Sequence, residues 1–389
     1  MNICLHNGTV LTGFASMERC AVLIEDGMIG DVFSERRFEQ KHFGAGTEII
    51  DVEGAFISPG FIDTHIHGFG GFGTEDSGSA ESVLEMSKLL TQYGVTSFNP
   101  TLYPMEKEKM LHAVKSITAS MGREDGARIM GLHLEGPFLS PERLGVQIAS
   151  TIRPVDMAFM EELWQASRGR IVNMTVAPEL KGMRELALSC IRRGIVLQAG
   201  HTDAKYENMV EGIQAGILHA THLFNAMSKM EHRNPNAVGA ILIHPEMSCE
   251  IIADGFHVHP DLFKLLMRDK SNDKIVLVTD GLKPTEQKEG PFFANGEEVV
   301  LHEGTFHRKI DDVIAGSSLT MIRGIKNLCS FGFSLEDAVK AAAFNPAQVM
   351  RYTRKGVIAP GHDADITVFD RNFHVLAVIV EGIIKKNLF

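Results

Sequence analysis

Six residues of this 389-residue chain have the types and positions to do metal chemistry together: His65, His67, Glu135, His201, His222 and Asp280. Each follows a short apolar run. Phe61-Ile62-Asp63-Thr64 leads into His65-Ile66-His67, and Leu132-His133-Leu134 into Glu135. Leu197-Gln198-Ala199-Gly200 leads into His201, His219-Ala220-Thr221 into His222, and Val276-Leu277-Val278-Thr279 into Asp280. His65 and His67 are two apart, so on a strand both imidazoles share a face and can converge on one ion. Imidazole with carboxylate is the ligand set that zinc, iron and similar divalent ions take in hydrolytic sites. Taken singly, each residue has a plainer explanation. A lone H-x-H is more often two unrelated histidines. Glu135 fits a loop carboxylate, His201 and His222 fit core histidines bonded to backbone, and Asp280 fits a helix cap. Six such residues at successive strand ends do not fit six independent coincidences.

The elements that must position these groups repeat along the chain. Short apolar runs open near 61, 95, 128, 171, 194, 217, 249 and 275, with helical spacing between them, as over 82–93 before Gly94. Strand-then-helix units of this kind predict a parallel sheet. About eight of them close a (β/α)8 TIM-like barrel, where catalytic groups come from the C-terminal strand ends. The two chain ends read differently. Ile3-Cys4-Leu5 is a short strand broken at Asn7-Gly8, followed by strand signals at 21–24 and 48–52; the tail is strand-rich over 361–370 and 375–384. Head and tail are expected to meet in one small discontinuous domain.

Bulk properties narrow the function. The chain carries 38 basic and 49 acidic residues, a formal net charge of -11, which argues against a nucleic-acid binder. A local basic spot for a small anion remains compatible with that balance. The five cysteines are scattered singly without a C-x-x-C pair, which suits a reducing compartment. The N-terminal MNICLHNGTVLTG has no basic start before a long apolar run, and no long apolar stretch occurs elsewhere. No secretory leader and no membrane span are expected, and the cytoplasm is the expected location.

The motifs around the six residues resemble those of the amidohydrolase superfamily and, within it, the N-acetylglucosamine-6-phosphate deacetylases. They run from PGFIDTHIHG (59–68) and GLHLEGPF (131–138) through AGHT (199–202) and THLFNAM (221–227) to IADGFHV (252–258) and VTDG (278–281). AGSSLTM (315–321), NPA (345–347) and GHDAD (361–365) complete the series. H-x-H and T-D belong to the whole superfamily, whereas THLFNAM and IADGxHV are specific to the deacetylases.

The resemblance implies an α/β protein, a (β/α)8 barrel over 57–354 with a small β-sandwich domain from 1–56 and 355–389, assembled as a homodimer. It implies one or two divalent ions. Glu135, His201 and His222 would hold the first, and His65 and His67 would belong to the second. The implied reaction hydrolyses the acetamide of N-acetylglucosamine 6-phosphate, with Asp280 as the proton shuttle. Gln147, Asn225, Ala226, Arg233, His257 and Ala315 are the implied contacts for the phosphorylated amino sugar. Two departures stand out: Gln147 replaces an expected histidine, and 281–287 (GLKPTEQ) replaces an Ala/Gly-rich run. The galacto epimer and other N-acyl substrates stay open. A dihydroorotase-type enzyme would use a carboxylated lysine where this chain has Glu135. A catalytically dead scaffold would have dropped ligands that are all present here.

Overall fold

Short strands whose residues are buried on both faces alternate with helices that bury one stripe, and this pattern builds the centre of the molecule. The computed structural model describes residues 2–76, 79–288 and 290–389. Eight parallel strands form a nearly closed barrel: β1 (Phe61–Ile66), β2 (Val95–Leu102), β3 (Leu132–Glu135), β4 (Ile171–Val176), β5 (Val196–Ala199), β6 (His219–Ala220), β7 (Ser248–Ile252) and β8 (Ile275–Val278). Almost every residue in them is buried, as expected of a parallel sheet with its outer face covered by helices. Closure of β8 on β1 comes just past the strand. Asp280 N–H donates to His65 O at 2.9 Å and His67 N–H to Gly281 O at 2.9 Å.

The covering helices show why they pack there. Lys107–Ser120 buries Met110, Ala113, Val114 and Ile117, three and four apart, on the barrel core. Asp156 starts Met157–Ala166 by accepting from the N–H groups of Ala158 and Phe159. The helix expected over 82–93 runs Ser79–Leu90 and tightens into a 3-10 turn over Thr91–Tyr93, which Gly94 ends at φ 86°. A positive φ of that size is where glycine alone is unstrained. Among the described residues no helix is long and apolar enough to cross a membrane.

Both chain ends join one eight-stranded sheet. Phe56–Pro59 pairs antiparallel with Ile366–Phe369, and Asn2–Leu11 lies between Phe56–Pro59 and Ser16–Glu25. Ile3, Leu5, Val22, Ile24, Ile57, Ile366, Val368 and Ile379 share one apolar cluster. Asn7-Gly8 does not end the first strand. Asn7 takes φ 60° and the pairing shifts register there, so the turn signal becomes a bulge inside a strand that continues to Leu11.

One element was not expected from the sequence. Between β8 and the helix Met321–Ser330 the chain inserts a four-stranded antiparallel sheet: Gly290–Ala294, Glu297–His302, Thr305–Arg308 and Ile314–Ser317. Its apolar side chains Ala294, Val299, Leu301, Phe306 and Ala315 pack with Tyr103 and Leu282 at the barrel mouth.

Candidate metal centre and active site

All six residues singled out by type and spacing converge at the C-terminal end of the barrel. His65 comes from β1 and His67 from just beyond it, Glu135 ends β3, and His201, His222 and Asp280 follow β5, β6 and β8. The last three adopt left-handed backbone, with φ of 46°, 26° and 50°. For residues with a Cβ this conformation costs roughly 1–3 kcal/mol each, and it concentrates at functional sites. Here it falls on three side chains that line the cavity.

Their ligand atoms form two groups, Glu135 with His201 and His222, and His65 with His67 and Asp280. In the first, Glu135 Oε1 lies 3.0 Å from His201 Nε2 and 3.1 Å from His222 Nε2, and the two nitrogens are 3.2 Å apart. In the second, Asp280 Oδ1 lies 3.4 Å from both His65 Nε2 and His67 Nε2, which are themselves 3.4 Å apart. Bonds of about 2.0–2.1 Å to a tetrahedral ion put ligand atoms about 3.3–3.4 Å apart, so both groups have nearly the spacing an ion needs.

The donor chemistry fits a cation as well. His201 Nδ1 faces the carbonyl oxygens of Arg143 and Leu144 at 3.1 and 3.0 Å, which can take its N–H and leave Nε2 turned to Glu135 as a ligand atom. Nε2, 3.0 Å from Glu135 Oε1, is the atom an ion would take. Burial lowers the basicity of His65, but Glu250, Asp280 and Glu135 outweigh it and raise its pKa to about 10. Burial also opposes ionisation of Asp280, yet His65 and His67 hold it below the usual carboxylate range. The position therefore attracts positive charge, and Asp280 is ionised at neutral pH.

Above the two groups lies a cavity of about 280 Å³, whose lining includes His67, Glu135, Gln147, His201, His222 and Asp280. Asn225, Ala226 and His257 also line it, as do Tyr103 and Ile314. His257 Nδ1 sits 2.6 Å from Asp254 Oδ2; burial lowers its pKa, and the carboxylate more than reverses that. Gln147 donates through Nε2 to Glu135 Oε2 at 2.6 Å, while its buried Oε1 has no partner among the described residues. Two of the expected contacts lie off this cavity. Ala315 is buried in the inserted sheet, although its neighbours Ile314 and Gly316 line the wall. Arg233 is exposed and lines a neighbouring pocket of about 460 Å³ with Arg143, Asp203 and Ser228. The segments 143–147 and 225–228 border both spaces.

Several supporting residues escaped the sequence reading. Tyr103 stacks on His67 with ring centroids 3.7 Å apart. Glu250 holds His65 Nδ1 at 2.9 Å. Burial opposes its charge, but His65 brings the carboxyl down to about 2. A signal existed: Glu250 is a lone charge inside the apolar run Cys249–Ile252, and such a charge needs a buried partner.

The fold and this centre define an amidohydrolase: residues 56–384 match the model described as Amidohydrolase family. Among curated relatives, the N-acetylglucosamine-6-phosphate deacetylase of Bacillus subtilis is 34% identical over 92% of this chain and 91% of the relative. The enzyme of that name from Homo sapiens is 32% identical over 90% of this chain and 86% of its own. The crystal structure of N-acetylglucosamine-6-phosphate deacetylase from Pasteurella multocida superposes with a TM-score of 0.92 at 27% identity, covering 100% of both chains. A mutant of the Mycobacterium smegmatis enzyme, in complex with N-acetyl-D-glucosamine-6-phosphate, gives a TM-score of 0.89 at 26% identity, covering 100% of this chain and 99% of that one. The chain belongs to the amidohydrolase family and, within it, to the family of the N-acetylglucosamine-6-phosphate deacetylases.

Proposed function

We propose that this protein hydrolyses the acetamide of N-acetylglucosamine 6-phosphate to glucosamine 6-phosphate and acetate, a step of amino-sugar catabolism. The observation that carries the chemistry is the convergence of Asp280 with two ion-sized ligand groups on the floor of one cavity. Glu135, His201 and His222 would hold one divalent ion. His65 and His67, with Asp280 at the edge, would hold a second. The ligand set suits zinc or iron. A divalent ion held there would polarise an amide carbonyl and make water a nucleophile near neutral pH.

The chain's own groups do the rest. Asp280 accepts the proton of the attacking water and returns it to the departing amine nitrogen, the general base and then the general acid of one cycle. His257, fixed by Asp254, aims a donor at the substrate. Gln147 uses its amide N–H on Glu135 and offers Oε1 to a sugar O–H or the acetamide N–H. Asn225 and Ala226 contact the sugar. Arg233 meets the phosphate from the neighbouring pocket, as a planar guanidinium suits. Ala315 acts through the wall segment that carries it.

The same reading takes 57–354 as the barrel domain and 1–56 with 355–389 as the strand-rich domain. The pairing of Phe56–Pro59 with Ile366–Phe369 supports the joining of the two ends and carries the terminal sheet on to Pro59. All five cysteines are free, which agrees with a cytoplasmic enzyme. Exposed Met230, Phe256 and Ile310 offer apolar surface for a homodimer, which light scattering tests. The decisive experiment is an acetate-release assay on N-acetylglucosamine 6-phosphate, its galacto epimer and the unphosphorylated sugar, beside elemental analysis. The gluco phosphate is expected to be fastest. Equal rates with and without phosphate would remove the Arg233 role, and a faster galacto epimer would replace the substrate.

A further inference from the structure

One carboxylate stands behind both metal-ligand groups. Glu250, from β7, is fully buried and lies outside the cavity lining. Its Oε2 accepts from His65 Nδ1 at 2.9 Å and from the His222 backbone N–H at 3.2 Å. Its Oε1 accepts from Gln198 Nε2 at 2.6 Å, and Gln198 Oε1 in turn accepts from Asn173 Nδ2 at 2.6 Å. The carboxylate is thus pinned by β4 and β5 while it grips one ligand of each group. The second grip falls on His222, whose backbone sits at φ 26°, so this hydrogen bond helps hold a turn the residue would not adopt unaided.

Resting on the metal reading above, we propose that Glu250 is a positioning residue that couples the two ion positions. One oxygen sets the tautomer and tilt of His65 and also anchors the turn that aims His222. A shift of that oxygen misplaces a ligand in both groups at once. Carboxylate partners of metal-bound histidines commonly change ion affinity by about 10–100-fold when removed. Such a partner normally serves one ion, whereas Glu250 is placed to serve two.

The test is a Zn²⁺ titration of chelator-stripped full-length protein, read by competition with a chromophoric chelator and by elemental analysis. Wild type, Glu250→Gln and Glu250→Asp are compared. Wild type is expected to take two ions. Glu250→Gln is expected to weaken both binding steps by about 10–100-fold. With zinc restored to saturation, kcat falls while KM stays within about twofold, because Glu250 does not touch the cavity. A folded Glu250→Gln protein that binds two ions with wild-type affinities, or weakens one step alone, overturns the coupling. If Glu250→Gln does not fold, Glu250→Asp decides by the same titration. It keeps the charge but draws the oxygens back by a methylene, so unweakened binding there also overturns the proposal. A wild-type protein that takes up no zinc overturns the metal reading as well, which separates the two failures.

Discussion

Two clusters of acids and bases in this molecule use their charges in opposite ways. At the junction of barrel and terminal sheet, Lys355 Nζ lies 2.6 Å from Asp365, 3.1 Å from Asp363 and 3.1 Å from Glu381. Arg354 holds the other side of Asp363 at 2.9 Å, and Arg128 holds Glu381 at 2.6 Å. Three permanent cations meet these three carboxylates, with Glu124 also 3.9 Å from Arg128, and the chain supplies the counter-charge itself. At the barrel mouth, Glu135 and Asp280 face four imidazoles, and no lysine or arginine is among the residues lining the cavity. The first cluster is complete as folded. The second sets its carboxylates against imidazoles alone, whose positive charge is a proton that an ion can replace. A buried group of acids and bases acts as a structural joint when its cations are lysine and arginine, and as a candidate metal centre when they are imidazoles that can exchange a proton for an ion.

That contrast can be broken by mutation, starting where the effect is greatest. His201→Ala should remove the ion of the Glu135 group and all measurable acetate release, with little change in folding. His65→Ala should lose a single ion and keep part of the activity. Elemental analysis beside the assay reads both, and full metal content in His201→Ala breaks the assignment. Asp280→Asn should retain metal yet lower kcat by about 10²–10⁴-fold, the usual share of a general acid–base; an Asn variant with wild-type turnover removes the shuttle.

Lys355→Met should do the reverse of His201→Ala. It leaves the buried Asp363 and Asp365 and the partly exposed Glu381 with too little counter-charge, so stability drops by about 3–5 kcal/mol in urea while metal content and kcat per folded molecule hold. Its pH dependence has a defined sign. Burial alone would lower the Lys355 pKa, but Asp365 and Glu381 raise it above the usual lysine value. A raised folded pKa gives stability that is complete below the unfolded value and is lost as pH rises through the folded one. The penalty of Lys355→Met should therefore be flat from about pH 7 to 9 and shrink only in stronger alkali. A penalty that disappears at neutral pH would mean Lys355 is not the counter-charge.

The smallest effect tests the edge of the site. Arg233→Ala should raise KM for the sugar phosphate by about 10–100-fold with kcat nearly unchanged, the loss of one charge-assisted contact. The unphosphorylated sugar should not feel the change. An equal loss for both substrates would place Arg233 in folding rather than recognition.

How much of this was legible in the chain depended on distance. The eight barrel strands were readable because each is a local apolar run, and the barrel rule then puts their C-terminal residues together. His65 and His67 were readable as a pair, because a two-residue spacing fixes a shared face. The bulge at Asn7-Gly8 was misread because a turn signal says the backbone can bend, and pairing on both sides decides whether it ends. The inserted sheet over 290–317 was missed. Its strands are four to six residues long and half exposed, and they gain stability from one another and from Tyr103 and Leu282 at the mouth.

The sequence alone determined which residues end the strands, and so which side chains the barrel would bring to one end. Backbone periodicity is local, and it survives without knowing what packs against it. Only the tertiary structure decided how those side chains are braced and divided. Glu250 meets His65 across 185 residues of chain, and Lys355 gathers partners that the closure of two chain ends brings together. Arg233, expected at the sugar phosphate, lines a neighbouring pocket and not the cavity itself. Contacts of that kind exist only after the barrel has closed, because only closure fixes the distances on which a charge or a hydrogen bond depends.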